Sequence, residues 1–214
     1  MKNSTNLKNE LIFEFAAGNL NMAKSLIAST YLFLNSNEAN IYKRFETYCG
    51  EELNDANQIK PKNITAEDCM QNKKIGNSTS KKNIINPINN FIINFETIKW
   101  KKIFNGFFEY SFKLSKKENA KLIKMNPGTK VPLHSHNGKE YILVLDGSFS
   151  DEYGEYSKGD LQINDSQVKH TPIASKNNGC VCLTINEEDI VFFGPFSPIL
   201  NMLTFLKNTI FSKK

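Results

Sequence analysis

Between Gly128 and Gly147 the chain reads GTKVPLHSHNGKEYILVLDG, a stretch that holds two of its three histidines. His134 and His136 stand two apart, Glu140 follows four residues later, and His170 is the third histidine. Residues i and i+2 of a β-strand point to one face, so His134 and His136 can reach a single ion from one wall. The Asn137-Gly138 turn lets Glu140 close the site from the next strand, and His170 supplies a fourth ligand from a later one. Three imidazoles and one carboxylate suit one divalent transition ion, zinc first, with Fe, Mn or Ni also compatible. The plainer reading is two surface histidines and one buried histidine with no shared role. Against it, the single site uses every histidine the chain has.

Composition narrows the class. At 214 residues the chain is one domain or two small ones, and 40% hydrophobic residues with 16 Phe suffice for a packed core. The net charge is +5, but it comes from lysine, since Arg44 is the only arginine. Bidentate reading of phosphate and guanine favours arginine, so no direct nucleic-acid binding is expected. Cys49, Cys69, Cys180 and Cys182 follow a start that carries Lys2, Lys8 and Glu10 rather than an apolar leader. That pattern implies a reducing, cytoplasmic setting. The apolar run from Ile190 to Phe211 is broken by Gly194, Pro195 and Pro198, so no membrane association is expected.

The order of patterns predicts an α+β chain of two domains. Leu7, Leu11 and Phe15 recur at helical spacing and stop at Gly18-Asn19. Ala23, Leu26, Ile27, Thr30, Tyr31 and Leu34 make a second stripe, and Glu38 to Tyr48 a third helix that Gly50 ends. Short amphipathic helices of this kind form a small bundle or dock on a partner. Thr65 to Lys74 starts like a capped short helix, and the Asn- and Lys-rich stretch after Gly76 reads as linker. Strand patterns follow at 96–104, 107–114, 120–125, 139–145 and 181–185, broken by Pro-Gly and Gly turns, as in a small antiparallel barrel. Residues 139–145 are apolar on both faces. Ile199, Leu203, Leu206 and Ile210 form an amphipathic tail that covers the barrel's own edge. The expected division is 1–74 helical domain, 75–94 linker, 95–198 barrel, and 199–214 C-terminal helix.

The spacing Gly128, His134, His136, Glu140, Gly147 is similar to the whole first motif of the cupin barrels. Their second motif is partly kept: Gly159 and His170 are in place, while Asp165, Gln167 and Ala174 replace its usual Pro, Gly and Asn. The succession NELIFEFAAGNL, SLIASTYLFL, NFETIKWKKI and PLHSHNGKEYILVLDGSFSDEYGEYSKGD resembles the ChrR family of cupin-containing anti-sigma factors over nearly the whole chain. The resemblance implies a small N-terminal helical bundle followed by a C-terminal cupin, a double-stranded antiparallel β-barrel or jelly-roll. It implies that the helices hold an alternative (ECF-type) sigma factor as protein partner. It also implies that the cupin carries a metal on His134, His136, Glu140 and His170 and senses singlet oxygen or organic peroxide. A homodimer through the cupin is compatible with it. The family's helical zinc site has no counterpart: Tyr31, Asn35 and Glu38 stand where its histidine and two cysteines would be. No zinc is therefore expected in the N-terminal domain, which forgoes a stabilisation on the order of 10 kcal/mol in zinc-finger peptides.

Cys180 and Cys182 share one face of a strand, with Cα atoms about 6.6 Å apart from strand rise, at the edge of disulfide reach. They are redox candidates, since a strained bridge is easily reduced, or else small apolar fillers of the barrel wall. Two other functions fit the same residues. One is a metal-dependent cupin enzyme, an oxygenase or isomerase with Glu140 as ligand or base. The other is a cupin whose metal serves folding alone. No catalytic residue beyond the metal set can be singled out.

Overall fold

The computed structural model of the chain describes residues 2–55, 98–114, 119–195 and 197–202. Three helices come first: α1 (Lys2–Ala16), α2 (Met22–Leu34) and α3 (Ala39–Asp55). The Asn21 side chain caps α2 by accepting from the Lys24 amide at 2.9 Å. Contrary to the expected stop, α3 passes through Gly50 to Asp55. Glycine inside a helix costs about 1 kcal/mol, and the good helix formers Glu51, Glu52 and Leu53 follow it, so the helix continues. Phe13 meets Phe45 edge to face at 5.4 Å and Phe15 meets Tyr42 at 5.5 Å, joining α1 to α3. The linker 75–94, the short helix expected before it and the tail beyond 202 lie outside the described residues. Residues 197–202 are helical apart from the bounds of any longer element.

Among the described residues ten strands follow: β1 (Lys101–Phe104), β2 (Phe107–Lys113), β3 (Asn119–Met125), β4 (His134–His136), β5 (Glu140–Asp151), β6 (Gly154–Ser157), β7 (Leu161–Asn164), β8 (Ile173–Ala174), β9 (Cys180–Asn186) and β10 (Ile190–Phe192). The main sheet runs β1-β2-β3-β9-β5-β6, with β7 and β8 also paired to β5, while β10 and β4 form a separate ribbon. Every described pairing is antiparallel. The jelly-roll expected from the sequence is present as curled sheets bridged at Lys130–Ile173 and His134–His170 rather than as one closed ladder. Asn126 to Thr129 makes the turn before β4: the Thr129 amide donates to Asn126 O at 3.0 Å with Gly128 at φ 71°, the geometry of a type II turn.

Alternation along β5, β7 and β9 divides two cores. Glu140, Ile142 and Val144, with Gln162, Cys182 and Thr184, face the barrel interior, while Tyr141, Leu143, Leu161, Ile163, Leu183 and Ile185 face outward. The outward set does not meet water. It joins Leu11, Ile12, Leu26, Ile27 and Tyr31 of α1 and α2 in one apolar cluster. This explains why 139–145 is apolar on both faces. Each fully buried leucine here contributes about 1.5–3 kcal/mol, so the helices draw much of their stability from the barrel wall. Polar ties reinforce the seam. Asn35 Nδ2 donates to Gly159 O at 2.8 Å, Lys24 pairs with Glu187, and Lys139 lies 3.4 Å from Glu10.

β5 carries a bulge. Val144 pairs with Cys182 and Asp146 with Val181, so Leu145 is an extra residue in the ladder. An extra residue exchanges the faces of everything beyond it. Even-numbered residues point inward before the bulge; beyond it Phe149 and Asp151 do. Gly147 (φ 68°) follows directly, and a Cβ there would collide with the Gly179 carbonyl oxygen.

Candidate metal centre

The four residues marked out by the sequence come together. β4 presents His134 and His136, Glu140 opens β5 after the Asn137-Gly138 turn, and all are buried. His170 is not on a strand but in an isolated bridge, where it and His134 exchange both backbone hydrogen bonds at 3.1 and 3.0 Å. One ligand atom from each residue lies within 4.8 Å of all the others. His170 Nε2 is 3.1 Å from His134 Nε2 and 3.4 Å from Glu140 Oε2, and His136 Nε2 is 2.9 Å from Glu140 Oε2.

The outer nitrogens fix the tautomers. His134 Nδ1 lies 2.8 Å from the Pro132 carbonyl, which can only accept, so Nδ1 carries the proton and Nε2 is a bare ligand atom. His170 Nδ1 donates in the same way to Asp151 Oδ2 at 3.0 Å. Glu140 is oriented by two amides, Asn186 Nδ2 on Oε1 at 3.1 Å and Asn164 Nδ2 on Oε2 at 3.2 Å. The buried His136 nitrogens make no aligned hydrogen bond, despite the 2.9 Å approach to Glu140. Close approach without alignment is what results when two groups aim at a third point rather than at each other. Three imidazoles and a carboxylate oxygen around one point fit a divalent transition ion that takes the place of the His170 proton.

Electrostatics separate His134 from His170. Burial drives His134 down to about 4, which keeps it neutral. Burial also opposes charge on His170, but the hydrogen bond to Asp151 and then Glu140 outweigh it and push His170 up to about 9. For Glu140 burial raises the pKa, yet the neighbouring His136 and His170 imidazoles hold it well below the usual carboxylate range.

Asp151, Asn164 and Asn186 escaped the sequence reading. Asp151 lies in the SFSDEYGEY segment, but simple alternation from Glu140 puts it outside. Only the bulge turns it inward. Cys180 and Cys182 share the inner face, packed with Met125, Val144 and Phe149. Its hydrogen bond with Cys180 and burial push the Cys182 thiol well above its ordinary value, so the Cys182 environment disfavours thiolate.

Residues 89–188 match the family model of the ChrR cupin-like domain. The barrel domain is similar to the ChrR cupin-like domain. The chain is 32% identical over 97 residues to the anti-sigma-E factor ChrR of Cereibacter sphaeroides, covering 45% of this chain and 46% of that protein. The match thus spans less than half of that relative's length. In fold, the chain resembles the crystal structure of Rhodobacter sphaeroides SigE in complex with the anti-sigma ChrR, with a TM-score of 0.71 at 24% identity. That likeness covers 84% of this chain and 96% of the matched one, so it takes in helices as well as the barrel. Among the described residues no helix is long and apolar enough to cross a membrane.

Proposed function

We propose that the chain is a cytoplasmic anti-sigma regulator of ChrR type. Residues 1–74 hold an alternative (ECF-type) sigma factor, and the cupin at 95–198 carries one metal ion and responds to singlet oxygen or organic peroxide. The observation that carries this reading is the fold likeness across helices and cupin together to a chain crystallised with SigE. The helices also expose Met22, Phe33 and Tyr48, at 53, 41 and 54%, apolar side chains suited to helix packing against a protein partner.

His134, His136, Glu140 and His170 would hold the ion, with zinc favoured by three imidazoles and Fe, Mn or Ni also fitting. When bound, it would fix the ligand shell and offer a place where an oxidant acts. The chain's own residues supply the rest. Asn164 and Asn186 orient Glu140, Asp151 orients His170, and the wall that carries Glu140 on one face carries the seat of α2 on the other. A change in the shell can therefore bias the helices, provided that the two states differ in free energy. Cys180 and Cys182 serve in this reading as packing residues.

Copurification with the host's sigma factors, with metal analysis of the same sample, tests the proposal. A one-to-one sigma complex with about one metal per chain is the expected result. Metal without any sigma partner would overturn the regulator and leave a metal cupin with chemistry of its own.

A further inference from the structure

β4, which carries two of the four ligands, is braced on both sides. On one side His134 and His170 exchange both backbone hydrogen bonds. On the other lies β10, with Phe192 opposite His134 and Ile190 opposite His136. The bonds in this ribbon join Phe193 N to Leu133 O at 2.9 Å and Asn137 N to Asp189 O at 3.2 Å. In an antiparallel ladder such pairs alternate with non-bonded ones, so Phe192 and His134 are a non-bonded pair. The N–H and C=O of Phe192 consequently point away from β4, toward what would be a bare sheet edge.

One side chain fills that edge. The Phe192 amide donates to Asn201 Oδ1 at 2.8 Å, and Asn201 Nδ2 donates to Phe192 O at 3.1 Å. The carboxamide offers one donor and one acceptor, as the peptide group of a further strand would, and so closes an edge that no other described strand covers. The ring of Phe192 in turn lies 5.9 Å from that of His134.

We infer that Asn201 is a positioning residue for the metal centre: from the C-terminal segment it locks β10 against β4 and thereby fixes His134 and His136. The inference rests on the metal reading above. It makes residues 197–202 part of the frame of the site, although none of them reaches it. Aspartate in this place would keep the acceptor and lose the donor, and alanine would lose both.

The test uses the full chain as wild type, Asn201→Ala and Asn201→Asp, each loaded with Co(II). The visible d–d spectrum, the rate at which a chelator strips the ion, and melting of the metal-free proteins are recorded. The expected result is that Asn201→Ala releases cobalt about tenfold faster, the lower end of the effect of losing a supporting contact, with altered d–d bands. Asn201→Asp should fall between it and wild type, while metal-free melting changes little. Variants with wild-type spectrum and release rate would overturn the inference while leaving the metal centre standing. So would a loss of metal-free stability with an unchanged spectrum, which would reduce Asn201 to a structural brace. A wild-type protein that takes up neither cobalt nor zinc would instead overturn the metal reading, and this inference with it.

Discussion

Asp151 Oδ2 lies 3.0 Å from His170 Nδ1, with both side chains sealed from solvent. The two residues are nineteen apart in sequence, and their contact decides which nitrogen of His170 faces the other ligands. A carboxylate on the far side of a ligating imidazole fixes its tautomer and raises its basicity. Gln162 Nε2 braces the same oxygen at 2.7 Å and reaches Tyr156 Oη at 2.9 Å, so Asp151 has little freedom to turn away.

Replacing that carboxylate should weaken the site without touching a ligand. Asp151→Ala is expected to lower metal affinity by about 10- to 100-fold, read by competition with a chelator of known strength. Affinity equal to wild type would show that His170 needs no orientation from outside the shell.

Acidity should control loading. In the metal-free protein His170 is raised to about 9, above its unfolded value of about 6.5. Its protonated form therefore stabilises the metal-free fold fully below about 6.5, and this contribution fades as the pH climbs through about 9. A ligating imidazole must be neutral, so binding near neutrality expels a proton from His170. Affinity should rise with pH, by up to about tenfold per unit for one proton, and level off near the raised pKa. Calorimetry in buffers of different ionisation enthalpy counts the proton released; a count of zero at neutral pH would contradict this assignment.

Helices and barrel should melt as one. Leu183 is fully buried in the cluster that joins them, and Trp100 is packed at its margin. Leu183→Ala is expected to cost about 2–5 kcal/mol. It should shift the far-ultraviolet helix signal and the Trp100 fluorescence to the same new midpoint. Two separated transitions in the parent protein would mean that the seam on α2 contributes little.

The paired cysteines should be sluggish toward oxidants and alkylating reagents. Cys180 and Cys182 are buried, whereas Cys49 is partly exposed, and thiols react as thiolates. Timed alkylation with peptide mass mapping should find Cys49 labelled before the pair, and the pair labelled at the rate of unfolding. Native-state labelling of Cys182 as fast as Cys49 would restore the pair as a switch.

How far the sequence discloses this arrangement depends on whether a property is local. His134 and His136 are legible because a two-residue spacing on a strand fixes their common face, and Glu140 because a turn separates it from them by a fixed distance. The apolar 139–145 run likewise signals a cover on both sides, though not that α2 supplies it. What stays hidden depends on register. Asn164 and Asn186 clamp Glu140 only because β7 and β9 both pair with Glu140 at those residues, and Asn201 finds Phe192 only through the path of the C-terminal turn. Gly50 misleads for a related reason: a glycine ends a helix only where the backbone adopts a left-handed turn, and here it does not.

The extra residue in β5 acts on the strand as a frameshift acts on a message. Every side chain after Leu145 is read on the opposite face from the one that its number implies. Taking Leu145 into the ladder, with no bulge, would leave His134, His136, Glu140 and His170 intact in the text while everting Phe149 and Asp151. Such a chain would satisfy any inventory of ligands, yet His170 would lose the carboxylate behind it. Inheritance of this site is thus a matter of phase as much as of composition.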